Sequence, residues 1–237
     1  MQPFRKGSTM YASTCLPGVS LTWREEHVVV TLPELVPVWS NAVYHGGSWL
    51  TERIVNHMVT TEFDCSDPVQ HMRNKCEQWE YHPVTSVGLI TAAKLSHTSL
   101  KEKEGDAFSV LCCTTAGTLN AARAGIPRQV HSDYKPGTIN TVIIVDGDIG
   151  QAAVWNLVMT ATEAKCAALA DTQLIDGETG KVATGTTTDA IVIAVINSGR
   201  YRAEHLYAGT ATTIGNTIGC LVYDTVSEAV RTQHEVD

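Results

Sequence analysis

Apolar residues in this 237-residue chain fall into runs, some alternating with polar positions and some unbroken, and these runs mark out its elements. The stretch "EEHVVVTLP" predicts a first strand, and "VPVWSNAVYHGG" predicts a second that ends in paired glycines. Residues 50–59 read as a helix. Asp67 followed by Pro68 has the form of an N-cap with a proline in the first turn, and predicts a helix to about residue 79. Three further runs, "SVGLITAAKL", "AFSVLCCTTAG" and "TINTVIIVDG", are apolar on both alternating sets of positions. Strands of that kind belong in a sheet covered on both faces. Residues 1–24 carry no such pattern and read as a weakly structured N-terminal extension.

The segment "DIGQAAVWNLVMTATEAKCAALADT" predicts the longest helix, with Asp148 as its cap. Val154, Leu157, Val158, Ala161, Ala164 and Ala168 form one stripe, and Ala152, Met159, Cys166 and Ala170 form another nearly opposite. A helix apolar nearly all round is expected to pack on both sides. Glu163 and Lys165, two residues apart, do not face each other, so each needs its own partner if buried. Beyond it, "GETG" predicts a hairpin turn between "TQLID" and "VATGTTTDAIVIAVI". A last helix over residues 214–230 aligns Ile214, Ile218, Leu221, Val222, Thr225 and Ala229. The pattern as a whole predicts one α+β domain over 1–237, with a mostly antiparallel central sheet of long apolar strands covered by helices in a layered sandwich.

Charge removes several classes of partner. A formal net charge of −8 and a sequence pI near 5.5 argue against nucleic acid and anionic membrane, which attract basic surfaces. No apolar segment reaches the roughly 18 residues of a spanning helix, and the first residues lack a signal-peptide core. Seven scattered cysteines without CxxC spacing suggest neither a disulfide framework nor a zinc knuckle, and read as reduced thiols in a cytoplasm. Association into a homo-oligomer is compatible with this composition.

The common catalytic signatures are absent: there is no GxxxxGK[ST], GxGxxG, GxSxG or HExxH. Nine histidines occur singly, without the spacing of metal ligands, so neither metal nor cofactor is expected. What remains is polar residues at the ends of apolar strands: Asn41, His45, Thr91, Asn120, Asn140, Thr184, Thr186 and Asp189. Strand ends are where rigid scaffolds present functional groups, although asparagine and threonine in Gly-rich loops also serve simply as turn formers. Asp189 stands out because it precedes seven consecutive apolar residues, 190–196, where a carboxylate demands specific donors. Trp39, Tyr44 and Trp49 lie beside Asn41 and His45 as an aromatic wall or as ordinary core.

The motifs "VWSNAVYHGG", "RIVN", "VGLITAA", "CCTTAGTLNAARAG", "GTINTVIIVD", "TATEAKCAAL", "ATGTTTDAIVIA" and "YAGTATTIGNTIGCLVYDTVSEAV" follow one another colinearly over roughly 200 residues. In that order they resemble the adenosylcobinamide amidohydrolase family of corrinoid salvage. Residues 1–24 depart from the resemblance, and residues 62–83 are insert-like, where substrate preference can differ. The resemblance implies cleavage of the amide that joins the aminopropanol arm to the corrin ring, giving adenosylcobyric acid. Such chemistry needs an activated nucleophile, oxyanion donors and an acid for the leaving amine. Asp189 or Glu163 is then the base toward water, with Asn120, Asn140 and Thr186 as oxyanion donors, and Lys165 holds a carboxylate or stabilises developing charge. A covalent route through Thr184 or Thr186 stays open. Trp39, Asn41, His45, Asn120, Asn140 and Thr184 are the expected substrate contacts. Two other readings remain, a corrinoid-binding protein without catalysis and a phosphate cradle at "ATGTTTD".

Overall fold

The computed structural model of the chain describes residues 1–128 and 137–236. Its strands are β1 (Met10–Ala12), β2 (Ser20–Arg24), β3 (His27–Ser40), β4 (Gly47–Met58), β5 (Ser86–Thr91), β6 (Ser99–Glu104), β7 (Ser109–Ala116), β8 (Ala121–Ala122), β9 (Ile139–Asp146), β10 (Asp148–Ile149), β11 (Gly185–Thr186), β12 (Ala190–Ile196) and β13 (Glu204–His205). The helices are α1 (Pro68–Gln78), α2 (Gln151–Asp171) and α3 (Thr213–Thr232). Nine strands form one curled sheet along the path β1-β2-β3-β12-β9-β7-β6, with β4 and β5 joined to the other edge of β3. Only β4–β5 and β9–β12 pair in parallel within it, so the expected α+β fold with a mostly antiparallel sheet is what forms.

The curl explains why β7, β9 and β12 are apolar on both faces. On the concave side Leu111, Val142, Ile144 and Val192 meet Val30, Ile54 and Leu89 from the other half of the sheet. On the convex side Val110, Ile143, Val145 and Ile193 pack against Val154, Leu157 and Ala161 of α2 and Ile214, Ile218 and Val222 of α3. A smaller cluster sets Met72 and Cys76 of α1 against Val29 and Val55. Burial of this order, about 25 cal/mol per Å² of apolar surface, is the main force holding the layers together.

Several expected elements change. Residues 50–59 are strand β4 rather than helix: Thr51, Ile54 and Val55 are β-branched, and the segment has β3 on one edge and β5 on the other. Ile54 faces the concave core while Val55 faces α1, so both sides are covered and alternation is masked. The two strands expected over 25–33 and 36–47 are one long strand, β3, whose ladder to β4 breaks between Thr31 and Val36. Pro33 sits in that break, where its missing N–H forfeits no ladder bond. Residues 1–24 are not loose: Phe4, Leu16 and Leu21 are buried in the concave core and β2 extends the sheet along β3. "GETG" turns, but 173–189 is mostly loop, with one bridge between Ile175 and Val182.

Asp67 caps α1 as expected, accepting from Gln70 N at 2.9 Å, and the predicted face of α3 is buried. The cap of α2 is Gly150, not Asp148, which lies in β10. Packing of α2 is one-sided: Trp155 and Met159 are 62% and 59% exposed. Alanines made this helix look apolar all round, yet alanine is a strong helix former on any face. No helix among the described residues is long and apolar enough to cross a membrane.

Candidate active site

Because β9 and β12 are parallel with Ala190 opposite Asn140, their N-terminal ends lie side by side. The C-terminal ends of β3, β5 and β7 arrive at the same edge, bringing Asn41, Thr91 and Ala116 alongside. Asp189 occupies the head of β12, with its side chain only 12% exposed. Desolvation there demands donors. Its Oδ1 accepts from Ile139 N at 3.1 Å, Thr186 N at 3.1 Å and the Thr186 hydroxyl at 2.5 Å. Its Oδ2 pairs with the ammonium of Lys165, which reaches in from α2 and is 11% exposed. The carboxylate thereby ties β9, the 185–189 loop and α2 together.

Gly185 makes the ion pair sterically feasible. A Cβ at that position would lie 2.3 Å from Asp189 Oδ2 and 2.9 Å from Lys165 Nζ. Asn41 braces the backbone on the other side, donating to Asp189 O and accepting from Ile191 N, both at 2.8 Å.

Two clefts meet at Asp189. One, about 560 Å³, is the more polar of the two: Asn41, Thr91, Thr138, Asn140, Thr187 and Thr188 line it beside Val43, Leu89 and Ile90, with a loop wall from Phe63 to Ser66. The other, about 400 Å³, lies against α2 between Trp39, Trp155, Val158 and Ile191, with Lys165 also on its surface. Asn41 and Asp189 line both. Thr186 lines neither.

The remaining sequence candidates divide. Asn140 reaches the polar cleft, but both amide hydrogens are engaged, by Asn56 Oδ1 at 2.8 Å and Ile90 O at 3.1 Å. Asn120 donates to Thr187 Oγ1 at 2.6 Å and so shapes the loop behind the cleft. Thr184 accepts from Ala124 N at 2.9 Å, away from both clefts. The amide hydrogens of Asn140 and the donor bond of Asn120 are thus spent within the protein, and Thr184 braces the backbone at Ala124. Glu163 is exposed on the solvent side of α2 and does not join Asp189, so its expected buried partner is not required. Of the aromatic wall, only Trp39 faces a cleft. His45 stacks on Trp49 at 4.2 Å and bonds Ser86 O at 2.7 Å, while the Tyr44 hydroxyl donates to Pro83 O, so these rings clamp the segment 83–86.

Sequence reasoning missed Asn56, Thr138 and Trp155. Asn56 sits in what read as a helix, and its amide donates to Thr115 Oγ1 at 2.9 Å. Thr138, the threonine inside the quoted motif "GTINTVIIVD", donates to Thr188 O at 2.7 Å. Trp155 is hidden in the alanine-rich pattern of α2. Among the described residues no group of three His, Cys, Asp or Glu is placed to hold a metal ion.

The two clefts meet at a desolvated carboxylate–ammonium pair, and comparisons with known proteins give the class of reaction. The family model described as adenosylcobinamide amidohydrolase, CbiZ, matches residues 16–237, and the chain belongs to that family. It is therefore an amidohydrolase, acting on a carbon–nitrogen bond. The match takes in residues 16–24, which by motif alone had stood outside the resemblance. An adenosylcobinamide amidohydrolase of Methanosarcina mazei is 29% identical over 180 residues, covering 73% of this chain and 80% of that protein. The uncharacterized protein MJ1613 of Methanocaldococcus jannaschii is 29% identical over 166 residues, 62% of this chain and 64% of that protein. Among solved structures, the PH0078 protein of Pyrococcus horikoshii OT3 aligns with a TM-score of 0.42 at 10% identity, over 90% of this chain and 78% of that one.

Proposed function

We propose that this chain hydrolyses the amide joining the aminopropanol arm to the corrin ring of adenosylcobinamide, releasing adenosylcobyric acid for corrinoid salvage. The observation that carries the proposal is the position of Asp189: it pairs with Lys165, is fixed by Thr186, and lines both clefts. In this reading Asp189 accepts a proton from water as the water oxygen bonds to the amide carbon. Lys165 stabilises the oxyanion, since an ammonium has three donor hydrogens and one is directed at Asp189. The carbon–nitrogen bond then breaks as Asp189 returns the proton to the departing amine. Thr186 lines neither cleft, and it is this distance from the substrate space, not its hydrogen bond to Asp189, that makes it a positioning residue and favours direct water attack over a covalent threonine ester. Free cysteines throughout support a reducing, cytoplasmic setting.

Incubation with adenosylcobinamide in oxygen-18 water tests this. One labelled oxygen should enter the acid product in a single turnover, with no acyl-enzyme trapped by acid quench. A trapped ester at Thr186 would transfer the nucleophile to threonine. Intact substrate at stoichiometric protein would instead identify a corrinoid-binding protein without catalysis.

A further inference from the structure

We propose that the two clefts are the two halves of the substrate site, with the corrin-bearing acyl side against Trp39 and Trp155 and the departing amine side in the polar cleft. This rests on the hydrolase reading of Asp189 and adds to it a direction and a specificity residue, Trp155.

The chemistry of the two walls sets the direction. The oxyanion develops on the oxygen bonded to the acyl carbon, and Lys165 lines the apolar cleft but not the more polar one. The acyl carbon is therefore on the Trp155 side of Asp189. The proton for the leaving amine comes from Asp189, which lines both, so the amine departs across the Asn41–Asp189 ridge into the more polar cleft, where threonines and asparagines stand beside Val43, Leu89 and Ile90. A hydroxyl-bearing aminopropanol arm suits that lining, whereas a broad apolar macrocycle suits Trp39, Val158, Ile191 and Trp155. At about 400 Å³ the apolar cleft admits one edge of a macrocycle and leaves the rest lying over α2. Trp155, 62% exposed at the rim of that cleft on the outer face of α2, is placed to be covered by that remainder. A large exposed indole beside a cleft is an anchor for a flat apolar ligand, and truncating such anchors typically weakens binding strongly. The Phe63–Ser66 wall belongs to the insert-like 62–83 stretch, so discrimination among arms falls to that segment.

The test separates binding from cleavage. Tryptophan fluorescence is titrated with adenosylcobyric acid in dim light for the wild type, Trp155→Ala and Trp155→Phe, and turnover of adenosylcobinamide and its inhibition by aminopropanol are measured alongside. The wild type should show saturable quenching, and Trp155→Ala should bind the acid at least about tenfold more weakly. KM for adenosylcobinamide should rise in parallel, with kcat held within about threefold. Trp155→Phe should recover most of the affinity. Inhibition by aminopropanol should be unchanged in Trp155→Ala and weakened in Phe63→Ala. Equal acid binding by wild type and Trp155→Ala overturns the assignment, as does no binding at all. So does a wild-type dimer in sedimentation that Trp155→Ala dissociates, because a second copy then covers the indole. Trp155-dependent binding of the acid without any cleavage leaves the cleft assignment standing and removes the hydrolase reading instead.

Discussion

Lys165 and Asp189 form an ion pair that joins the middle of helix α2 to the head of strand β12, each with only about a tenth of its side chain exposed. Removing one partner of such a pair leaves the other's charge desolvated and uncompensated, at a cost of roughly 3–5 kcal/mol. Asp189→Asn and Lys165→Met are each expected to lower stability in urea denaturation and to abolish turnover. The double variant should regain much of the stability while staying inactive, because neither charge is then stranded. Additive stability losses in the double variant would show that the two side chains are not coupled.

Gly185 is expected to be intolerant of the smallest side chain. Its Cβ would fall 2.3 Å from Asp189 Oδ2, which is inside van der Waals contact, so Gly185→Ala must push the ion pair apart. A loss of kcat of about a hundredfold is expected, as for other displacements of about an ångström at a reacting centre. Gly177→Ala, in the same loop but with nothing within 4 Å, is the control and should match wild type in steady-state kinetics and melting temperature.

Glu163→Gln is expected to leave both activity and stability nearly unchanged, within about 0.5 kcal/mol, because the side chain is exposed on the solvent face of α2. A large loss of kcat in this variant would reopen the question of which carboxylate takes the proton.

Stability should fall on mild acidification. His27 and His57, buried where α1 meets β3 and β4, are each pushed down from 6.5 to about 4, chiefly by burial. Burial also lowers His71, which stacks on His57 at 5.2 Å. The unfolded chain binds protons that the folded chain refuses, so this contribution is complete above about pH 6.5 and is lost as pH falls toward about 4. Each pKa unit corresponds to about 1.4 kcal/mol. Urea midpoints from pH 7.5 to 4.5 should therefore decline, and His27→Gln/His57→Gln should show a flatter decline from a lower plateau. Parallel slopes in the two proteins would show that these imidazoles do not carry the effect.

Asp189 was legible because a carboxylate beside seven apolar residues must find donors inside the protein, and Lys165 because it interrupts an apolar helix. That each finds the other, 24 residues away, was not legible. The phosphate-cradle reading of "ATGTTTD" fares no better: the lysine that the fold brings there from α2, Lys165, is committed to Asp189. Asn140 shows the opposite failing: its strand-end position was visible, yet its engagement by Asn56 depends on β4, a strand that local pattern presented as a helix.

From the sequence alone follow the apolar strands β7, β9 and β12, the capped helix α1 and the buried face of α3, since each depends on neighbours a few residues apart, and the family resemblance, which depends on the order of motifs along the chain. Only the tertiary structure decided that β4 is a strand, that residues 1–24 enter the core, and that Glu163 lies outside while Trp155 borders a cleft. Those outcomes depend on which surfaces the curled sheet leaves uncovered, and burial against distant segments outweighs the small local preferences that a sequence displays.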